Sequence, residues 1–291
     1  MSNPATALLL LNPHAKNGQV SPEAIAAQFE QLGLTTILEL TENPTQISAV
    51  ICNYAAQIDF VVIGGGDGTL NAALAGLVDT QIPLVILPLG TANDLARTLE
   101  IPNALPAACQ LVQTGKVKQI DLGCVNGHYF LNVASIGLSV DITRRLTNIA
   151  KKRWGAIAYA IAALQSLGEL RTFRAEIQID GKSTHSRTIQ IAVGNGRFYG
   201  GGMTVAVDAA IDDQSLDVYS LEVNHWWEIA NMLPALWLGR HLTLPNVHYD
   251  RGQSVEIRTK RPLPINTDGE LLTHTPAKFY LLPKAIKVMV P

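Results

Sequence analysis

Cysteine is scarce in this chain: among 291 residues only Cys52, Cys109 and Cys124 occur, scattered and without CxxC or Cys/His spacing. That excludes a disulfide framework and a zinc finger and fits free thiols in a reducing compartment. Aromatic residues make up 6% and charged residues 16%, and the formal net charge is −2. With no basic excess, and no basic residues interleaved around Trp226, Trp227 and Trp237, nothing points to nucleic acid as a partner. No apolar run reaches the roughly 18 residues that a membrane-spanning helix needs. The start, MSNPATALLLLNPH, has a short apolar run without a basic flank and reads as a strand, not a secretory signal. HExxH and GxSxG are absent, and the seven histidines form no group with one another or with cysteine. A cytoplasmic protein with two globular domains is expected from these limits and the length.

What the chain has in quantity is apolar residues, 47% of the total, laid out in two patterns. Over residues 1–120, short apolar runs at 7–12, 35–40, 59–64 and 82–88 alternate with helically spaced stretches at 22–33, 44–56, 69–77 and 91–99. Near-continuous apolar strands alternating with helices predict a parallel sheet covered on both faces, with ligands beyond the carboxyl ends of its strands. From about residue 121 the segments 128–137, 172–180, 185–195, 215–223, 254–260 and 278–290 are β-branched or alternating, separated by turn residues such as Asp180-Gly181. Residues 121–280 therefore predict a mainly antiparallel β domain, with two apolar helical stretches at 154–167 and 225–239.

Two of the expected strand–helix junctions carry unusual residues. In GGGDGT (64–69) the glycines allow successive N–H groups to converge on an anion, and the helix start behind them adds more. A dinucleotide fingerprint fails because Thr69 stands at the last glycine position, and a Walker loop fails because no lysine follows. Asp67 is suited to reach phosphate through Mg²⁺ rather than directly. The second junction, LPLGTANDLAR (87–97), repeats glycine, hydroxyl and carboxylate as Gly90, Thr91 and Asp94. Each loop alone is compatible with plain helix capping, with Thr91 as N-cap and Asp94 closing a capping box. Two adjacent strand ends with the same set point instead to a pocket for a triphosphate and a metal ion.

These loops resemble those of the diacylglycerol kinase catalytic family, and NPHAKNG (12–18), DLGCVNGHYFLNVASIGLSVD (121–141), GNGRFYGGGM (194–203), DDQSLDV (212–218) and NTDGE (266–270) match further family stretches in order. NPHAKNG departs from the family pattern, with Ala15 and Lys16 where that pattern has Ser-Gly, and Gln214 replaces a usual glycine after Asp213. The resemblance implies an α/β ATP-binding domain and a mainly β lipid-substrate domain, the architecture of NAD kinases and diacylglycerol kinases. It also implies that a C-terminal segment, about 281–291, returns to the first domain. ATP contacts are implied for Asn12, Lys16, Thr41, Gly65, Gly66, Asp67, Gly68, Thr69, Asn71, Gly90 and Thr91. Glu270 is implied as the proton acceptor from a lipid hydroxyl, with Asp268 as the second carboxylate for that duty and Asp67 acting at the phosphates. A structural Mg²⁺ is implied at Asp213 with the carbonyls of Ala210 and Ser215, and Asp94 is a further metal candidate. Without the resemblance, NTDGE reads as a hairpin turn and Thr41 as a helix cap.

The implied activity is ATP-dependent phosphorylation of a lipid alcohol such as diacylglycerol or phosphatidylglycerol, with ATP as donor and Mg²⁺ as cofactor. Two other readings stay open: an NAD kinase-like enzyme with a similar glycine loop, and a nucleotide-binding regulatory protein whose altered NPHAKNG loop marks lost catalysis. The expected partners are the lipid and a transient membrane surface. The surface is met by Arg144, Arg145, Lys151, Lys152 and Arg153 ahead of the apolar 154–167 stretch. A homodimer is left open.

Overall fold

The fold rests on a computed structural model that describes residues 4–12, 21–40, 43–148, 171–196, 198–199, 203–204, 210–223, 228 and 246–291. Lys16, Thr41, Lys151, Lys152, Arg153, the 154–167 stretch and all of 225–239 except Glu228 lie outside the described residues. The chain divides into two units, Met1–Asp121 with Pro283–Pro291, and Leu122–Leu282.

In the first unit strands and helices alternate: β1 (Thr6–Leu11), α1 (Pro22–Gln31), β2 (Thr35–Leu40), α2 (Ile47–Tyr54), β3 (Phe60–Gly65), α3 (Asp67–Thr80), β4 (Leu84–Pro88), α4 (Asp94–Thr98) and α5 (Leu105–Thr114). The strands lie in the order β2-β1-β3-β4, all parallel, and the chain's last strand adds beside β4 with Val288 opposite Leu84. Leu8, Leu9 and Leu10, Val61, Val62 and Ile63, and Val85, Ile86 and Leu87 are all fully buried. Successive strand residues face opposite sides, so runs of this kind require cover on both faces of the sheet. The helices supply it: α1 buries Ile25 and Phe29 and α2 buries Ile47 and Ile51, each pair one turn apart. Ser21 caps α1 by accepting the N–H of Ala24 at 3.2 Å, and Pro22 occupies its first turn.

The second unit begins within β5 (Lys116–Val125) and continues through β6 (His128–Phe130), β7 (Val133–Gly137), α6 (Leu138–Asn148), β8 (Phe173–Ile179), β9 (Lys182–Thr188) and β10 (Gln190–Gly194). After the short pair β11 (Phe198–Tyr199) and β12 (Met203–Thr204) come β13 (Leu216–Leu221), β14 (Val247–Gly252), β15 (Ser254–Thr259), β16 (Pro264–Thr267), β17 (Glu270–His274) and β18 (Ala277–Val290). One antiparallel sheet has the order β14-β13-β10-β7-β16-β17. In the other, β9, β8, β15 and the start of β18 are neighbours, with β5 pairing β18 and β6. Every second residue of each sheet enters a shared core: Ala134 and Ile136, Ile191 and Val193, Leu216 and Val218 from one face meet Ala175 and Ile177, Val255 and Ile257, Ala277 and Phe279 from the other. The second unit is thus the mainly antiparallel β sandwich that its alternating sequence predicts. Among the described residues no helix is long and apolar enough to cross a membrane.

Local boundaries differ from the sequence reading in instructive ways. The stretch 128–137 is not one strand but two, β6 and β7, in different sheets, and 185–195 likewise splits into β9 and β10. The stretch 44–56 starts as a 3₁₀ turn, Pro44–Gln46, before α2. Helix α5 was not anticipated, although Ala108, Cys109 and Leu111 give it a buried face.

Candidate active site

At the end of β3 the chain turns through Gly64, Gly65 and Gly66 into α3, which begins at Asp67. At the end of β4 it turns through Gly90 to α4. The two turns lie against each other. The N–H groups of Leu89 and Gly90 both donate to the carbonyl of Gly65 at 3.1 Å, and the Asn12 N–H donates to Gly64 at 3.0 Å. A Cβ on Gly90 would lie 2.3 Å from the Gly66 Cα, and one on Gly65 would lie 2.6 Å from the Thr69 hydroxyl. Glycine is therefore required by close approach, of the Gly66 backbone at Gly90 and of the Thr69 side chain at Gly65, rather than by a turn dihedral.

Asn93, with φ of 51°, braces the second turn: its carbonyl oxygen accepts from Gly90 N–H at 3.0 Å, and its amide nitrogen donates to the carbonyls of Pro88 and Gly90, each at 3.1 Å. Helix α4 begins at Asp94, three residues after Thr91, so Thr91 is not its N-cap. The cap comes from the other loop. Asp67 accepts the N–H groups of Asp94 at 3.2 Å and Leu95 at 3.1 Å, tying the first glycine turn to the start of the second helix. Asp94 is itself buried, with 4% of its surface exposed. Helix α3 has no side-chain cap; the Thr69 N–H donates to the Gly66 carbonyl at 2.9 Å, and an uncapped helix start behind glycines is an arrangement suited to phosphate. Gly68, Thr69 and Asn71 all lie in the first turns of α3. The structure thus gathers Asn12, Gly65, Gly66, Asp67, Gly68, Thr69, Gly90 and Asp94 into one loop cluster, with Asn71 a turn further along.

In the second unit NTDGE forms the hairpin between β16 and β17, with Thr267 opposite Glu270. Asp268 and Gly269 have φ of 47° and 96°, the two left-handed residues of a tight hairpin turn. The two carboxylates have separate environments. Asp268 accepts three backbone N–H groups, from Leu131 at 2.6 Å and from Asn132 and Val133 at 3.0 Å. The carbonyl of Asn132 in turn accepts from Asn195 and Gly196, so Asp268 organises the start of the GNGRFYGGGM stretch as well. Glu270 is exposed. Hairpin turns 126–127 and 180–181 repeat this device: Asp180 accepts from Gln253 and Ser254, and Asn126 bonds across to Lys278 and Pro276. Sequence reasoning gave Asp268 no such role.

The turn before β13 holds Ala210, Asp213 and Ser215. The Asp213 N–H donates to the Ala210 carbonyl at 3.3 Å, and the Asp213 carboxylate accepts from Ser215 N–H at 3.1 Å. Burial pushes the Asp213 carboxyl upward, the N–H bonds from the turn oppose this, and the nearby Asp217 carboxylate adds to the rise. A carboxylate and two carbonyls on one turn are an oxygen-only donor set suited to a hard cation, whose charge would offset that burial. The residues therefore fit Mg²⁺, although among the described residues no three His, Cys, Asp or Glu side chains cluster as a metal group. Behind the turn, the buried Asp217 accepts from the Arg251 Nε at 2.7 Å and from the Tyr249 hydroxyl, a brace that sequence order concealed.

A parallel α/β unit with a glycine-rich loop cluster at its strand ends, followed by an antiparallel sandwich carrying an exposed carboxylate on a hairpin, is the layout of a kinase of the NAD kinase and diacylglycerol kinase type. Residues 6–125 match the family model of the diacylglycerol kinase catalytic domain, and residues 132–290 match that of the YegS C-terminal NAD kinase beta sandwich-like domain. The chain belongs to this bacterial diacylglycerol kinase/YegS-like family. It is 36% identical over 234 residues to a probable lipid kinase YegS-like of Pseudomonas fluorescens, covering 79% of this chain and 77% of that one. It is 29% identical over 271 residues to a diacylglycerol kinase of Bacillus subtilis, covering 92% and 89%. A crystal structure of a putative diacylglycerol kinase from Bacillus anthracis superposes with a TM-score of 0.84 at 25% identity, covering 100% of this chain and 98% of that one.

Proposed function

We infer that the protein is an ATP-dependent lipid kinase that transfers a phosphoryl group to the hydroxyl of a diacylglycerol-type lipid. The observation that carries this is the pair of interlocked glycine turns, with an α3 N-terminus open toward the space before them, in a chain of the lipid-kinase family. The start of α3 and the glycine turn before it bind and orient the polyphosphate. Asp67 holds the two turns at fixed spacing through Asp94 and Leu95, so the cradle is formed before the nucleotide arrives.

Glu270 acts as the base that takes the proton from the attacking hydroxyl. Asp268, whose oxygens are occupied by three N–H groups, positions the hairpin that presents Glu270. Leu271 and Leu272 follow the base with 39% of each exposed, an apolar surface suited to a lipid beside a polar reacting group. Mg²⁺ bound with the nucleotide supplies charge screening for phosphoryl transfer. A second Mg²⁺ would be held by Asp213 with the Ala210 and Ser215 carbonyls, and Asp67 and Asp94 would be the carboxylates at the nucleotide end. Incubation with ATP and Mg²⁺ across diacylglycerol, phosphatidylglycerol, a sphingoid base and NAD, with product mass as readout, tests the reading. A lipid phosphate supports it, and NADP as the only product replaces it with the NAD kinase alternative.

A further inference from the structure

Beside the start of α6 the second unit encloses a cavity of about 400 Å³ that the phosphoryl-transfer residues do not use. It exists because the chain bends sharply from β7 into α6 at Gly137, where φ is 100° and a Cβ would lie 2.1 Å from the Ile189 carbonyl oxygen. The bend is fixed by the Leu138 N–H donating to that carbonyl at 3.0 Å and the Ser139 N–H donating to the Gln190 side chain at 2.9 Å. Leu138, Phe173, Ile189 and Leu263 give the cavity apolar walls, while Arg144, Arg171, Arg261 and Asp141 supply its charge.

Of the charged residues that line the cavity, Arg144, Arg171 and Arg261 carry guanidinium groups and Asp141 a carboxylate. Among the described residues Arg171 and Arg261 enter no ion pair. Like charges lining one cavity repel one another, and an anion relieves that repulsion. Guanidinium forks match phosphate oxygens bidentately, and apolar walls strengthen the attraction. A phosphomonoester carries about −1.5 to −2 charge near neutral pH, a match for the two guanidinium charges of Arg171 and Arg261, whereas a diester carries half of that. The volume is in the range of small-molecule pockets and admits a head group with part of one chain.

We propose that this cavity binds the phosphomonoester head of a lipid, with the Arg171 and Arg261 forks on the phosphate and the adjoining chain against Phe173 and Leu263. It is a site apart from the base: Pro264 lines the cavity at one end of β16, while Glu270 pairs with Thr267 at the other, about 10 Å along the strand. Calling its ligand the reaction product rests on the kinase reading above, but the binding itself does not.

The test is calorimetric titration, without ATP, of dihexanoyl phosphatidic acid, dihexanoyl phosphatidylglycerol, dihexanoylglycerol and inorganic phosphate. The expected result is saturable binding that is tightest for the phosphatidic acid, weakened at least tenfold in the double variant Arg171→Gln/Arg261→Gln. The Arg171→Lys/Arg261→Lys variant, which keeps the charge and loses the forks, should fall between. Thermal unfolding of each variant controls for folding. Unchanged phosphatidic acid affinity in the glutamine variant overturns the proposal, as does inorganic phosphate binding as tightly, which marks a plain anion site. If the wild type phosphorylates no lipid yet the Arg-dependent binding persists, the kinase reading fails and the cavity stands. If phosphorylation proceeds and the binding is insensitive to the arginines, only the cavity assignment fails.

Discussion

At the residue scale the two carboxylates of NTDGE have different surroundings, Asp268 bonded to backbone and Glu270 exposed, and mutation separates them. Asp268→Ala leaves the N–H groups of Leu131, Asn132 and Val133 without their acceptor. A loss of about 2–4 kcal/mol in unfolding free energy is expected, read from urea denaturation. Glu270→Gln touches no such network, so its urea midpoint should match the wild type while turnover falls. Cys109 gives a pH signature. Burial raises its thiol from 9.0 to about 11. The folded state therefore holds that proton more tightly than the unfolded chain. The contribution is full below about pH 9 and is lost as pH rises toward about 11. Urea midpoints at pH 8 and pH 10.5 should fall less in Cys109→Ala than in the wild type, and an equal fall would contradict the assignment.

At the scale of elements, the active-site geometry depends on two loops that touch through backbone. Gly90→Ala sets a Cβ 2.3 Å from the Gly66 Cα, a contact that no side-chain rotation relieves. ATP affinity should fall at least tenfold with helix and sheet content unchanged, and wild-type affinity would refute the interlocked cradle. The Asp213 turn makes a second claim: chelation should lower the melting temperature of the wild type and leave Asp213→Ala unaffected.

These elements also mark what the sequence could and could not disclose. The parallel strands were legible because Leu8–Leu10, Val61–Ile63 and Val85–Leu87 are unbroken apolar runs. The start of α4 was misplaced because its cap is Asp67, 27 residues away, while the local candidate Thr91 stays outside the helix. Asp268 read as a turn residue and, by resemblance, a second candidate base, and not as a backbone acceptor, since its partners lie 135 to 137 positions earlier. The splits of 128–137 and 185–195 were hidden because a strand that changes sheets keeps the same alternation.

At the scale of the whole molecule, the family models span residues 6–125 and 132–290, so both units carry the relationship and both contribute residues to the proposed reaction. The phosphate cradle is proposed for the first and the base, Glu270, for the second. The most direct test is single-turnover transfer from labelled ATP to diacylglycerol by the wild type and Glu270→Gln, with ATP affinity measured in parallel. The account requires labelled lipid phosphate from the wild type, a rate lower by about 10²-fold or more in Glu270→Gln, and the same ATP affinity in both. Transfer at the wild-type rate by Glu270→Gln, or no labelled lipid from a wild type that binds ATP, would contradict it.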